Sequence, residues 1–152
     1  MNLSISLDLG DTPSVLAALA NERTAQRVAS AAAESYTDDM LDWIRDGHGF
    51  TPRTGQLEQS IGWRGLGNGS AEVYANAAYA RWVEDGTAAH VILPSQRQAL
   101  KIPVPGLGYV LRRRVNHPGS RAHPFFFADL DNRQDHAQAR ALSVLAGIVA
   151  HG

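Results

Sequence analysis

The chain contains no cysteine, so neither a disulfide framework nor a thiolate ligand or nucleophile is open to it. No charged n-region leads into an apolar core at its start, and no apolar run approaches the ~18 residues that a membrane helix needs. Export by a signal peptide and membrane spanning are therefore not expected. Internal repeats and low-complexity linkers are absent as well. What remains is 152 residues with 44% hydrophobic and 19% charged side chains, enough for a packed core and the size of one domain over residues 1–152.

A net charge of −1 speaks against a dedicated nucleic-acid binder. Its distribution says more. Between residues 86 and 123 there is no acid, while Arg97, Lys101, Arg112, Arg113, Arg114 and Arg121 supply six basic groups. The rest of the chain holds eight basic and fifteen acidic residues, an excess of seven negative charges. A positive segment sits in a negative chain.

Motifs of catalysis are missing too. His48, His90, His117, His123, His136 and His151 form no His-Glu-x-x-His pattern, and no two of them sit four apart on a helix to share a metal. His117 and His123 flank Arg121, a poor neighbour for a dication. No Gly-x-Ser-x-Gly elbow is present for a serine hydrolase. Gly65, Gly67 and Gly69 are followed by strand-like Glu72-Val73-Tyr74 rather than by a helix, so they read as a turn and not as a phosphate loop. The adjacent acids Asp38-Asp39 and Glu84-Asp85 diverge on their helices and do not converge on a substrate. No catalytic residue, metal or cofactor is expected.

The periodicities divide the chain clearly. Leu3, Ile5 and Leu7 alternate as a short strand, and Thr12-Pro13 opens a short helix carrying Val15, Leu16 and Leu19. From Glu22 to Arg45, Ala25, Val28, Ala29, Ala32, Tyr36, Met40, Trp43 and Ile44 recur at three and four residues, which predicts a long helix with one apolar stripe, capped by Gly47. Glu34, Asp38, Asp42 and Asp46 line its other side at four-residue spacing, where like charges repel by a few tenths of a kcal/mol per pair, roughly. A turn of helix at 54–58 places Leu57 beside Ile61. Strands over Ile61 and Trp63 and over Ala71, Val73 and Ala75 form a hairpin about 65–69.

Tyr79, Trp82 and Val83 predict a short helix closed by Gly86. Leu100, Ile102 and Val104, then Tyr109, Leu111 and Val115, alternate about a Pro105-Gly106 turn. A last helix is expected from near Pro124, carrying Phe127, Leu130, Ala137, Ala141, Val144, Leu145 and Ile148. Trp43 and Trp63 are expected to be largely buried. Together these elements predict an α+β fold, a short antiparallel sheet packed by a long N-terminal and a C-terminal helix.

Three motifs stand in series: Thr54-Gly55-x-Leu57-x-x-Ser60-Ile61, then Tyr79-x-x-x-Val83-Glu84-x-Gly86-Thr87, then His117-Pro118-Gly119 with Pro124-Phe125-Phe126. Over about residues 54–130 this order resembles the tail-component family of long-tailed phages, which also goes under neck, head–tail joining and tail-completion proteins. The resemblance implies a structural virion protein made in the host cytoplasm. It would form a homo-oligomer, a hexameric ring at the head–tail junction, against head-closure or connector and tail-tube or tail-terminator proteins. Genome DNA would pass through its centre without sequence readout.

The arginine run Arg112, Arg113, Arg114 would face DNA or a neighbouring subunit, and on one strand Arg112 and Arg114 would share a face. The 86–123 segment is the expected counterpart of the stripe Glu34, Asp38, Asp42, and Ile92 sits in an apolar loop expected at a contact. A tail terminator capping the tube is the nearest alternative. A small nucleic-acid-binding regulator is the more distant one, with no aromatics among the arginines to stack bases.

Overall fold

A computed structural model describes residues 1–3, 7–9, 12–48 and 54–151. In order, β1 (Asn2–Leu3), α1 (Pro13–Leu19), α2 (Glu22–Arg45), α3 (Gln56–Ser60), β2 (Ile61–Gly67), β3 (Ser70–Ala75) and α4 (Ala80–Asp85) precede β4 (His90–Ile92), β5 (Leu100–Val104), β6 (Gly108–Arg112), β7 (Val115–His117) and α5 (Leu130–His151). The fold is α+β. Ile5 of the expected first strand lies outside the described residues, and Leu7 is not in a strand.

The long helix has the bounds its periodicity predicts, and its ends explain why. Asn21 caps the start: its Oδ1 accepts from the Arg23 and Thr24 N–H groups at 3.0 and 3.3 Å. Gly47, at φ +75°, leaves the helix in a left-handed conformation that other residues adopt at a cost. α2 is the middle layer of the molecule. The antiparallel sheet β1-β3-β2 packs on one side and α5 on the other. Burial is therefore wider than one stripe: Thr24, Ala31, Ala33 and Thr37 are buried along with Val28, Ala32, Tyr36, Met40 and Ile44. Small residues on both helices, Ala137 and Ala141 on α5 among them, let the backbones approach closely.

The β2–β3 hairpin pairs Ile61 with Ala75 and Trp63 with Val73, which puts Ile61, Val73 and Ala75 in the core. Asn68 and Gly69 both have positive φ, the two-residue turn an Asn-Gly pair favours, with a register irregularity between Gly65 and Gly67. Trp43 and Trp63 are only half-buried and stand at the rim of the core. Their polar N–H groups make that rim position favourable, and Trp43 donates to the Pro124 carbonyl at 3.3 Å.

Three expectations fail in the C-terminal half. The last helix begins at Leu130, so Pro124 and Phe127 precede it, Phe127 in a bend of the chain. Backbone N–H groups that would have started a helix there are held by another side chain, described below. The alternating run 109–115 is also not one strand: β6 pairs with β5 and β7 pairs with β4, with Arg113 and Arg114 between them. Likewise the apolar loop at Val91 and Ile92 is a strand.

Candidate functional site: a buried clamp carrying a basic arm

Two sequence motifs some forty residues apart are one object in space. Glu84, on α4, is buried while its neighbour Asp85 stays exposed and pairs with Arg81 at 3.4 Å. The Glu84 carboxylate accepts the N–H groups of Phe125 and Phe126, each at 2.8 Å, and of Phe127 at 3.1 Å. The carbonyls of the same segment face the opposite charge. Arg133, buried on α5, donates from Nη1 to the Phe125 oxygen at 2.7 Å and the Phe126 oxygen at 3.3 Å, and the Tyr36 hydroxyl donates to Phe126 at 2.8 Å.

Neither buried charge touches the other. Each is bonded to the peptide groups that separate them, and charge-assisted bonds of this kind offset the cost of removing an ion from water, although Arg133 Nη2 is buried without a hydrogen-bond partner. The Arg133 guanidinium also lies over the rings of Tyr36 and Trp43, at 5.7 and 5.4 Å. Burial pushes the Tyr36 phenol above its ordinary pKa, against the lowering influence of Arg133.

Beside the clamp the two motifs are stitched by backbone. Thr87 and Ser120 exchange N–H···O bonds at 3.0 Å in each direction, their hydroxyls meet at 3.0 Å, and the His123 N–H reaches Val83 at 2.8 Å. The approach is so close that a Cβ on Gly86 would stand 2.6 Å from the Ser120 oxygen, and one on Gly119 would run into the Thr87 carbonyl. Both glycines also have φ in the left-handed range. Pro118 and His117 complete the return: the Gly119 N–H donates to His117 Nδ1 at 3.1 Å, and the His117 ring stacks on His90 at 4.9 Å.

From this root the chain runs out and back as an arm. β4 and β7 pack chiefly on each other, and so do β5 and β6. Arg112, Arg113 and Arg114 lie exposed where β6 gives way to β7, with Arg114 donating to Asn116 at 3.2 Å. Because the strand ends at Arg112, no common strand face for Arg112 and Arg114 exists. Ile92 is half-buried at the root, between the exposed Val91 and Leu93.

The first motif lies elsewhere and serves the body. Gly55 enters α3 at φ +67°, Thr54 Oγ1 accepts from the Gln56 N–H at 3.4 Å, Leu57 is in the core, and Ser60 bonds the Leu57 carbonyl at 2.7 Å. Tyr79 packs against the core at the start of α4. On α2, Glu34, Asp38 and Asp42 are exposed as expected, and the basic groups beside this stripe lie on α5 and on α2 itself. Arg140 lines a groove with Glu34, Ser35, Asp38 and Asp39, His136 meets Asp39 at 3.0 Å, and Asp42 pairs with Arg45 at 3.2 Å. Among the described residues no ion pair joins the stripe to the arm.

Reasoning from sequence missed Arg133 and Tyr36 as clamp residues and saw Glu84 only as a motif letter. The signal available was an acid next to Val83 on a six-residue helix that ends just before Gly86. Among the described residues no group of three or more His, Asp or Glu is placed to hold a metal ion, and no helix is long and apolar enough to cross a membrane.

Residues 13–86, from α1 to the end of α4, are similar to the family model described as "Bacteriophage HK97-gp10, putative tail-component". A tail component is a structural virion protein whose partners are other virion proteins. The matched segment includes α2 and the Glu84 side of the clamp, and it ends before the arm. No curated protein and no solved structure matches the chain.

Proposed function

We propose that the chain is a subunit of a ring at the head–tail junction, a neck or tail-completion protein through whose centre genome DNA passes. The observation that carries this reading is the tail-component match over residues 13–86. The unequal charge of arm and body supports it, because a closed ring repeats one head-to-tail contact in which unlike faces meet. On this reading residues 1–152 act as one unit with no catalytic turnover. The clamp residues Glu84, Gly86, Thr87, Gly119, Phe125 and Phe126 fix the arm, and Arg112, Arg113 and Arg114 face a neighbour or the DNA.

Removing the gene from its phage tests the position. Filled heads and finished tails should accumulate unjoined, and the purified chain should restore joining when added to that mixture. Tails of uncontrolled length would instead identify a terminator. Normal virions made without the chain would refute a structural role at the junction. Native mass measurement of the purified chain gives the copy number, with six expected.

A further inference from the structure

The ribbon β5–β6 has an unpartnered face. Directly paired residues share a side of an antiparallel ribbon, so the Lys101–Leu111 and Pro103–Tyr109 pairs put Lys101, Pro103, Tyr109 and Leu111 on one face. Tyr109 is 55% exposed, Leu111 59%, and Leu107 at the turn 79%. A lone two-stranded ribbon is marginal in water, and a contiguous exposed apolar face marks a contact. Its charge is of one sign, Lys101 lying over the Tyr109 ring at 4.0 Å and Arg112 ending the strand.

A surface of matching character lies between the two long helices. Between α2 and α5 runs an open groove, one section of which, about 360 Å³, has Arg27, Ala31, Glu34, Trp63, Arg140 and Val144 among its lining residues. Its next section is lined by Glu34, Asp38 and Asp39. The half-buried Trp63 and Val144 offer an apolar wall, and the carboxylates of Glu34, Asp38 and Asp39 outnumber the guanidiniums of Arg27 and Arg140 along the two sections. Such a surface fits a ribbon that is apolar on its face and cationic at its edges.

We infer that the β5–β6 ribbon of one copy docks along the α2–α5 groove of a second copy of this chain, its Tyr109 and Leu111 face toward Trp63 and Val144. This rests on the reading that the chain assembles with itself, and it names the contact. The choice of a second copy follows from charge complementarity: the 86–123 segment has six basic residues and no acid, and the remainder carries the acidic excess.

Lys101 is the chain's only lysine, which gives a direct test. Sedimentation of the purified chain first establishes whether it is oligomeric. A zero-length carbodiimide, which joins an amine to a carboxylate, is then applied, and peptides from the dimer band of a denaturing gel are sequenced by mass spectrometry. Lys101 should be joined to Glu34, Asp38, Asp39 or Asp42, and Lys101→Arg should abolish that link while leaving the oligomer. Tyr109→Ser with Leu111→Ser should weaken association at least tenfold. Oligomers in which Lys101 joins acids elsewhere, or none, would overturn the docking and leave self-assembly standing. A chain that sediments only as a monomer would overturn both.

Discussion

The body and the arm of this molecule are held in place on opposite terms. In the body, Tyr36, Met40, Ile44, Phe125 and Phe126 have no exposed surface, and helices cover one side of α2 while a sheet covers the other. In the arm, strands pair two by two and large apolar side chains face water. Burial of apolar area is the main favourable contribution to folding, so the body is stable by its own packing, whereas the arm is fixed only at its root. The clamp exists because of that difference. A ribbon without a core of its own keeps a direction only if its two ends are anchored, and Glu84, Arg133 and the Thr87–Ser120 pairing anchor both. On the proposed ring reading this division is what a reaching arm needs, since a surface to be covered on assembly has to stay uncovered before it.

The comparison breaks most visibly at Met40. A carboxylate there would be buried without a partner, at a cost of several kcal/mol, comparable with the whole stability of a domain. Met40→Asp should not yield soluble protein with a cooperative melt, and a normal melt would show that this face of α2 is not core. The next largest effect belongs to the clamp. Glu84→Ala leaves three N–H groups without their acceptor and should lower the unfolding free energy by about 3 kcal/mol or more in a denaturant titration. Glu84→Gln keeps one carbonyl oxygen but turns an amide toward the donors, and should fall between the two. Equal stability of all three chains would remove the clamp as a structural feature.

How much of this was legible depends on how far apart the partners lie. α2 was readable to the residue because helical spacing is local, and so was the β2–β3 hairpin, since Asn68-Gly69 carries its own turn chemistry. The clamp was not readable. Glu84 bonds residues 41 to 43 positions away, and periodicity at three or four residues is blind to that distance. The divergence of Glu84 and Asp85 was visible, but not that one of the two turns inward. The same blindness misplaced the start of α5: Pro124 suits the first position of a helix, but the three following N–H groups belong to Glu84. In the arm the alternation was readable, but pairing between β4 and β7 required knowledge of the root.

Smaller effects sharpen the contrast. Tyr36→Phe removes the hydroxyl bonded to Phe126 and should cost about 1 kcal/mol. It should also change the alkaline limb of the stability profile. The folded phenol has a raised pKa, so its contribution is complete below the unfolded value of 10.0 and is lost as pH climbs through the folded one. Wild-type stability should therefore fall above about pH 10 more steeply than that of the Phe variant in paired urea titrations. In the arm, Leu107→Ser should shift the isolated chain's stability by no more than about 0.5 kcal/mol, because the side chain is already in water. A large loss would mean that the ribbon folds against its own body.

The smallest effect per group is electrostatic, and it tests the proposed contact between arm and body of different copies. Glu34, Asp38 and Asp42 are exposed, as are Arg112, Arg113 and Arg114. An exposed pair contributes only ~0.2–1 kcal/mol, and salt screens it over about 10 Å. A single substitution should thus be nearly silent. In a ring every junction repeats the contact, however, and a like-charge juxtaposition penalises each wrong register at every junction. Asp38→Arg with Asp42→Arg should accordingly leave the melting curve of the separate chain within about 0.5 kcal/mol of wild type while impairing oligomer formation at low salt. Arg140 is already beside Asp38 and Asp39, so the reversal also concentrates positive charge on the α2–α5 face and strengthens the repulsion of an incoming arm. Adding Arg112→Glu and Arg114→Glu should restore part of the assembly, measured by sedimentation, and raising the salt should shrink both the defect and the rescue. An acidic-side reversal without effect at low salt would mean that these faces never meet, and a defect that the arm reversal does not relieve would assign the acidic face to a different partner.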